Sequence, residues 1–289
     1  MIGSIAGAPL PCRKKAPVPS LGIILSLTLA AAQPSPSPSP ASAASAPADP
    51  CGDVHTNVLA AIDRPSIGFS SCAVKPGDRL FEIGYAVQAS STTHLATYPQ
   101  NFARVGAWKN VELDWIGPIF GIQRSGSQTI NGVFDSGFGA KFEYWHDSQN
   151  AAAVDLLYTA PTGSSAFSAH GPIETLNLDG TYSFSPAFSV GATLGMQSDS
   201  AQDRAGRFGR FGSLLPSVVL TDQISERTQF YGEAFAQTPI RPDGGTLFGL
   251  DGGVQYMIAP WLECDVEAAR TITDLDRAHY YGFGFGIRF

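Results

Sequence analysis

From Arg79 to Phe289 the chain alternates apolar and polar residues at a period of two, and no stretch there keeps helical spacing for long. In an extended strand that period sends successive side chains to opposite faces. Leu176, Leu178, Tyr182 and Phe184 share one face with Gly180, while Asn177, Asp179, Thr181 and Ser183 take the other. After Ser185-Pro186, a turn, the rule resumes with Phe188, Val190, Ala192, Leu194 and Met196 opposite Ser189, Gly191, Thr193, Gly195 and Gln197. The same division sets Phe138, Ala140, Phe142 and Tyr144 against Gly137, Gly139, Lys141 and Glu143. It also sets Tyr281, Phe283, Phe285, Ile287 and Phe289 against Gly282, Gly284, Gly286 and Arg288.

About twelve such strands fit between residues 79 and 289. Their connections sort into two kinds. Those at 108–109, 146–150, 185–186, 222–227 and 259–260 are short, and those at 92–98, 124–131, 161–172, 199–207, 239–246 and 272–277 are generally longer. An even strand number with tight turns at one end and longer loops at the other is the arrangement of an outer-membrane β-barrel. The faces agree. One is rich in Phe, Tyr, Leu and Val. The other collects Glu82, Arg104, Glu112, Asp114, Lys141, Glu143, Asp155, Asp179, Glu233, Asp251, Glu263, Asp265, Glu267 and Arg288, the candidates for lining a lumen. A soluble sandwich would have to bury many of those carboxylates unpaired, at several kcal/mol each. With lipid outside, closure also removes the strand edges that lipid cannot satisfy. The expected fold is therefore all-β, a closed antiparallel transmembrane β-barrel of about twelve strands over 79–289.

The start of the chain reads as an address. Arg13, Lys14 and Lys15 precede a short apolar run that ends in Ala30-Ala31-Ala32, the pattern of a secretory signal peptide over 1–32. Residues 33–50 alternate Pro and Ser, then Ala and Pro, a solvated tether with no core to bury. Loss of 1–32 removes three basic and no acidic residues, leaving 15 basic against 25 acidic and moving the net charge from −7 to −10. An acidic chain with singly scattered basic residues is not a nucleic-acid binder. Residues 51–78 form a short periplasmic segment in which Cys51 and Cys72, exported to an oxidising compartment, are expected to bridge. Plugging the barrel, docking beneath it and simple disorder all stay open for this segment. Cys264 falls among outward positions of a strand, and no Cys/His cluster suggests a metal or cofactor.

An aromatic last residue on an alternating strand resembles the signal by which outer-membrane proteins are inserted, which gives Phe289 a role of its own. Several short pieces in order resemble the MetA-pathway-of-phenol-degradation family of transporter-like outer-membrane barrels. They are Glu82-Ile83-Gly84-Tyr85, Tyr98-Pro99, Arg104-Val105-Gly106, Val111-Glu112-Leu113 and Gly139-Ala140-Lys141. Pro161-Thr162-Gly163, Glu233, Asp251-Gly252-Gly253-Val254-Gln255-Tyr256, Asp265 and Gly286-Ile287-Arg288-Phe289 continue the series. The resemblance spans 79–289 and implies uptake of aromatic or other small organic compounds.

The leading expectation is an outer-membrane channel or transporter for small organic solutes, aromatic ones included. Its partners are outer-membrane lipid, the barrel-insertion machinery and the solute. A closed structural or surface-interaction barrel is the alternative. A hydrolase is the weakest reading: no G-x-S-x-G occurs, and His94, His170 and His279 fall in or beside outer loops, with Asp274 and Asp276 near the last. The lumen charges admit two readings, ion pairs that knit the walls and a lining that selects solutes.

Overall fold

A computed structural model describes residues 49–289 apart from Val54, Thr56 and 274–276. The expected signal peptide, nearly all of the 33–50 tether, Asp274 and Asp276 lie outside the described residues. Fourteen strand segments follow one another: β1 (Arg79–Ser90), β2 (Thr93–Trp108), β3 (Val111–Ile116), β4 (Phe120–Ser125), β5 (Gln128–Val133), β6 (Ser136–His146) and β7 (Asn150–Ala160) come first. Then come β8 (Ile173–Ser183), β9 (Phe188–Gln202), β10 (Phe208–Ser225), β11 (Thr228–Gln237), β12 (Leu247–Ala259), β13 (Leu262–Thr271) and β14 (Ala278–Arg288). Every strand pairing is antiparallel, and β1 pairs with both β2 and β14, which closes the sheet.

The fourteen segments make twelve staves. β3 and β4 pair in turn with the lower and upper parts of β2, so together they form one stave broken at Gly117-Pro118. β5 and β6 form the next, broken at Phe134-Asp135. A closed twelve-stave antiparallel barrel is the fold read from the period-two pattern, with two local departures. The loop expected at 124–131 is a hairpin, β4–β5, turned at Gly126 with φ 60°. The loop expected at 92–98 is the start of β2, because β4 supplies that stretch with a hydrogen-bonding partner. Residues 124–131 are mostly short and polar and 92–98 hold three Thr and His94, and only the non-local pairing makes them strands.

Both ends of the barrel chain, Arg79 and Phe289, meet at the end of the barrel that carries the short turns, where the Phe289 amide donates to the Arg79 carbonyl at 2.9 Å. We call this the terminal end and the other the loop end. β10 runs 18 residues, well beyond the 9–11 or so needed to cross a bilayer, and pairs with β9 out to Gln202.

The exterior is apolar: Phe138, Phe142, Leu156, Leu178, Leu194, Val218, Leu250, Phe283 and Phe285 stand exposed. Trp108, Trp145, Trp261, Phe184 and Phe289 add a ring of exposed aromatics at the terminal end, the place of an aromatic girdle at a membrane boundary. The interior holds the charge, and the packed core lies in the terminal half of the lumen. There Val58, Leu59, Ala61, Ile62 and Val74 of the N-terminal segment bury themselves against Leu80 and Met257 of the wall.

Candidate functional site

Residues 58–74 enter the barrel and cross it, held by the inward charges. Asn57 caps a single 3-10 turn, Val58–Ala60, by accepting from the Leu59 amide. Beyond it the segment has no regular structure, so its amides need other acceptors. Wall carboxylates supply them. Glu82 accepts from the Asp63 and Arg64 amides at 3.2 and 2.8 Å, and Glu233 from Ile67 and Gly68, each at 2.8 Å. The Ala73 amide donates to Glu143 at 3.1 Å, the Val74 amide to Glu112 at 2.5 Å and the Phe69 amide to Thr193 at 3.2 Å. Amide donors to a buried carboxylate make the stronger, charge-assisted kind of hydrogen bond.

Side chains complete the attachment. Fully buried Arg104 donates to Glu112 at 2.6 and 3.1 Å and to Glu82 at 3.2 Å, and reaches the carbonyls of Ala61 and Cys72. Asp63 of the plug sits 3.4 Å from both Arg104 and Lys141, so one carboxylate from the plug answers two cations of the wall. Lys141 also lies 3.8 Å from Glu112. Arg64 lies along the wall formed by β13, β14, β1 and β2, where it meets both oxygens of Asp265 at 3.2 Å and Gln100 at 2.9 Å. Burial alone would lower the Arg64 pKa, but Asp265 and Glu267 overcome it and hold the guanidinium above its ordinary value. Gly84 and Gly284 flank that guanidinium, and a Cβ at either would collide with it. The run of inward glycines on β14 therefore makes room for the plug. Cys51 and Cys72 are joined, with Cα atoms 5.4 Å apart, and tie the start of the segment to its far side.

Thirteen of the fourteen inward candidates are buried and Arg288 is half-buried. They do not form one cluster. Glu82, Arg104, Glu112, Lys141, Glu143 and Glu233 grip the plug directly, and Asp265 and Glu267 do so through Arg64. Arg288 stands at the plug's edge, 3.5 Å from Asp78 and 2.9 Å from His55. Asp251 accepts from the Tyr231 hydroxyl, and Asp179 from Thr193. Asp114, Asp155 and Glu263 are buried with no hydrogen-bond partner on either oxygen among the described residues. Arg104 and Lys141 do bridge wall carboxylates, whereas Glu143 and Glu233 accept from plug amides. The groupings that could hold a metal, Asp49 with Cys51 and His146 and Cys51 with Cys72 and Glu143, both use sulfur already in a disulfide.

On the loop side of the plug the lumen changes character. A chamber of about 280 Å³ lies over the floor made by Ile67, Gly68 and Phe69. Its walls are mostly apolar, with Leu95, Ile116, Ile119, Phe134, Leu157, Ile173 and Phe235 among them. Phe167, from the loop between β7 and β8, reaches in and packs edge-on against Phe134 with ring centroids 5.0 Å apart. Asp135, at the break between β5 and β6, holds that loop: it accepts from the Gly163 amide at 2.7 Å, the Ser168 hydroxyl at 3.2 Å and the Ala169 amide at 2.9 Å. His170 of the same loop packs its ring edge-on against Phe208, away from any triad-like grouping.

Asp63, Arg64, Phe69, Asp135 and Phe167 escape the sequence reading because none lies on a regular alternating strand. One signal did exist. Of the fourteen inward candidates eleven are acidic and three basic, so that face needs donors from elsewhere.

Two solved structures share the fold. The COG4313 outer membrane channel from Pseudomonas putida F1 superposes with a TM-score of 0.59 at 11% identity, over 78% of this chain and 100% of that one. The NanC porin gives 0.54 at 13% identity, over 72% and 98%. No curated protein matches the chain. Residues 62–289 match the family described as "Putative MetA-pathway of phenol degradation", a span that takes in Asp63 and Arg64 of the plug together with the whole barrel. The chain belongs to that family.

Proposed function

We propose that the protein is an outer-membrane channel that takes small, largely apolar organic solutes, single-ring compounds among them, into the chamber from the loop end and passes them across the plug. The observation that carries the reading is the chamber itself, an apolar space of about 280 Å³ in a lumen otherwise lined with carboxylates. Ligand pockets are mostly apolar with a few placed polar groups, and drug-sized ligands occupy roughly 300–1,000 Å³, so this one suits a small solute. The family's description, the P. putida channel and the porin that share the fold support the same reading. The apolar exterior and the aromatic ring at the terminal end suit outer-membrane lipid, with the loop end outside and the terminal end in the periplasm. Export by the segment 1–32, oxidation of Cys51 and Cys72 in the periplasm and insertion guided by Phe289 belong to the same reading. Catalysis has no part in it.

The plug's packing favours one second reading, a barrel that stays closed and serves structure or surface contact. Planar bilayers separate the two. For a channel, the refolded mature chain gives discrete conductance steps, and added phenol reduces them. Silence from a protein shown to be folded by its heat-dependent gel migration would replace the channel with the closed barrel.

A further inference from the structure

The chamber has a polar feature that its apolar character does not explain. Asn177 on β8 and Ser217 on β10 are 3% and 7% exposed and both line it. The Asn177 Nδ2 and the Ser217 Oγ have no hydrogen-bond partner among the described residues. The Gln237 Nε2, also in the chamber wall, is likewise unpartnered. Leaving such groups buried and unpaired costs about 1–3 kcal/mol each, and native interiors seldom tolerate it without a reason.

The strand register explains how Asn177 comes to stand open. It pairs across β8 and β9 with Gly195, which pairs in turn with Leu215. A Cβ at Gly195 would lie 2.9 Å from the Asn177 Oδ1 and 3.0 Å from the Leu215 Cβ. The absent side chain at Gly195 leaves the amide uncovered between two strands. Ser217 sits by the floor, where a Cβ at Gly68 would come within 2.6 Å of its hydroxyl.

We infer that Asn177, with Ser217, is a recognition site for an uncharged single-ring compound bearing a hydroxyl or carbonyl oxygen, the ring on the apolar wall and the oxygen on the Asn177 amide. The inference rests on the chamber being the solute site. Two amide donors and one hydroxyl call for an acceptor oxygen. The charged residues in the chamber wall are Asp135 and Arg270, and Asp179 and Glu233 stand behind the floor on Thr193 and Gly68, so the acidic groups outnumber the basic one and disfavour a carboxylate. A ring without oxygen fills the space but leaves the amide unpaired.

The test is binding of phenol, toluene and benzoate to the mature chain in lipid nanodiscs by calorimetry, with empty nanodiscs subtracted. The expected result is phenol bound about 5- to 10-fold more tightly than toluene, the worth of one net hydrogen bond, and benzoate the weakest. Asn177→Leu removes the preference for phenol over toluene. Asn177→Ala, which removes the donor and adds no acceptor, serves if the leucine variant does not fold. If phenol keeps its advantage in both variants, or never has one over toluene, the recognition site is wrong while the chamber remains a solute site. If none of the three binds, the solute reading of the chamber fails, and the site with it.

Discussion

Asp63 shows what a single residue does in this lumen. Its Oδ2 lies 3.4 Å from both Arg104 and Lys141, and its Oδ1 accepts from the Ser70 amide at 2.8 Å. Arg104 still has Glu82 and Glu112 when Asp63 is gone, but among the described residues the Lys141 ammonium keeps just one ion pair, to Glu112 at 3.8 Å, with Asp155 opposite it on β7. Breaking a buried pair by deleting one partner typically costs about 3–5 kcal/mol. Asp63→Ala therefore loosens the plug by an amount toward the low end of that range, while the sheet stays closed. Limited proteolysis reads this as faster cutting within 58–74, with the barrel fragment and its gel migration unchanged. Equal cutting in the variant would mean that the charges do not hold the plug. Legibility at this scale divides cleanly. Glu82, Arg104 and Lys141 are readable because each sits in a period-two strand, where parity alone assigns a face. Asp63 and Arg64 sit in a segment without a period, and nothing in the residues around them says which wall they meet.

The elements that depart from regular strand are those that shape the chamber. β3 stops at Ile116 and β6 starts at Ser136, and between them the β4–β5 hairpin rides on the upper part of β2. The break leaves Asp135 free to accept three hydrogen bonds from the loop that carries Phe167. Asp135→Ala should release this loop without unfolding a stave, since no strand pairing passes through residue 135. A cysteine placed at Phe167 then reacts with a water-soluble maleimide several-fold faster in the Asp135→Ala background. An unchanged rate would show that Asp135 does not restrain the loop. The disulfide is the plug's own restraint. Closing about 20 residues is worth roughly 3 kcal/mol by loop entropy, so Cys72→Ser should make the segment protease-sensitive even with every wall carboxylate in place. A plug equally resistant in the oxidised protein and in the variant would assign all of its order to the wall. Alternation exposes staves readily, but it is silent at 92–98 and 124–131, where short polar residues become strand only because a distant segment offers its backbone.

For the molecule as a whole, the decisive fact is that the charge inside belongs overwhelmingly to one sign. The eleven acidic candidates and Asp199 of β9 face inward against Arg104, Lys141 and Arg288. In the intact protein much of that excess is answered by plug amides and by Arg64, which is why so acidic a wall can close on itself. The twelve staves do not depend on the plug for closure, because β1 pairs with β14 over eleven residues, from Leu80 to Ser90. Removing residues 49–78 should leave a folded barrel whose carboxylates face water. A ring of such groups favours cations in a pore. The shortened chain is expected to conduct steadily, with a reversal potential that favours potassium over chloride and a preference that weakens as salt screens the wall. The full chain, in the same bilayers, should show smaller or briefer steps. A shortened barrel that folds yet conducts no better than the full chain would mean that the plug is not what closes the lumen. Preference for chloride would mean that the wall carboxylates carry no net charge once the plug is gone, and the lumen's acidity would then serve only to hold the plug.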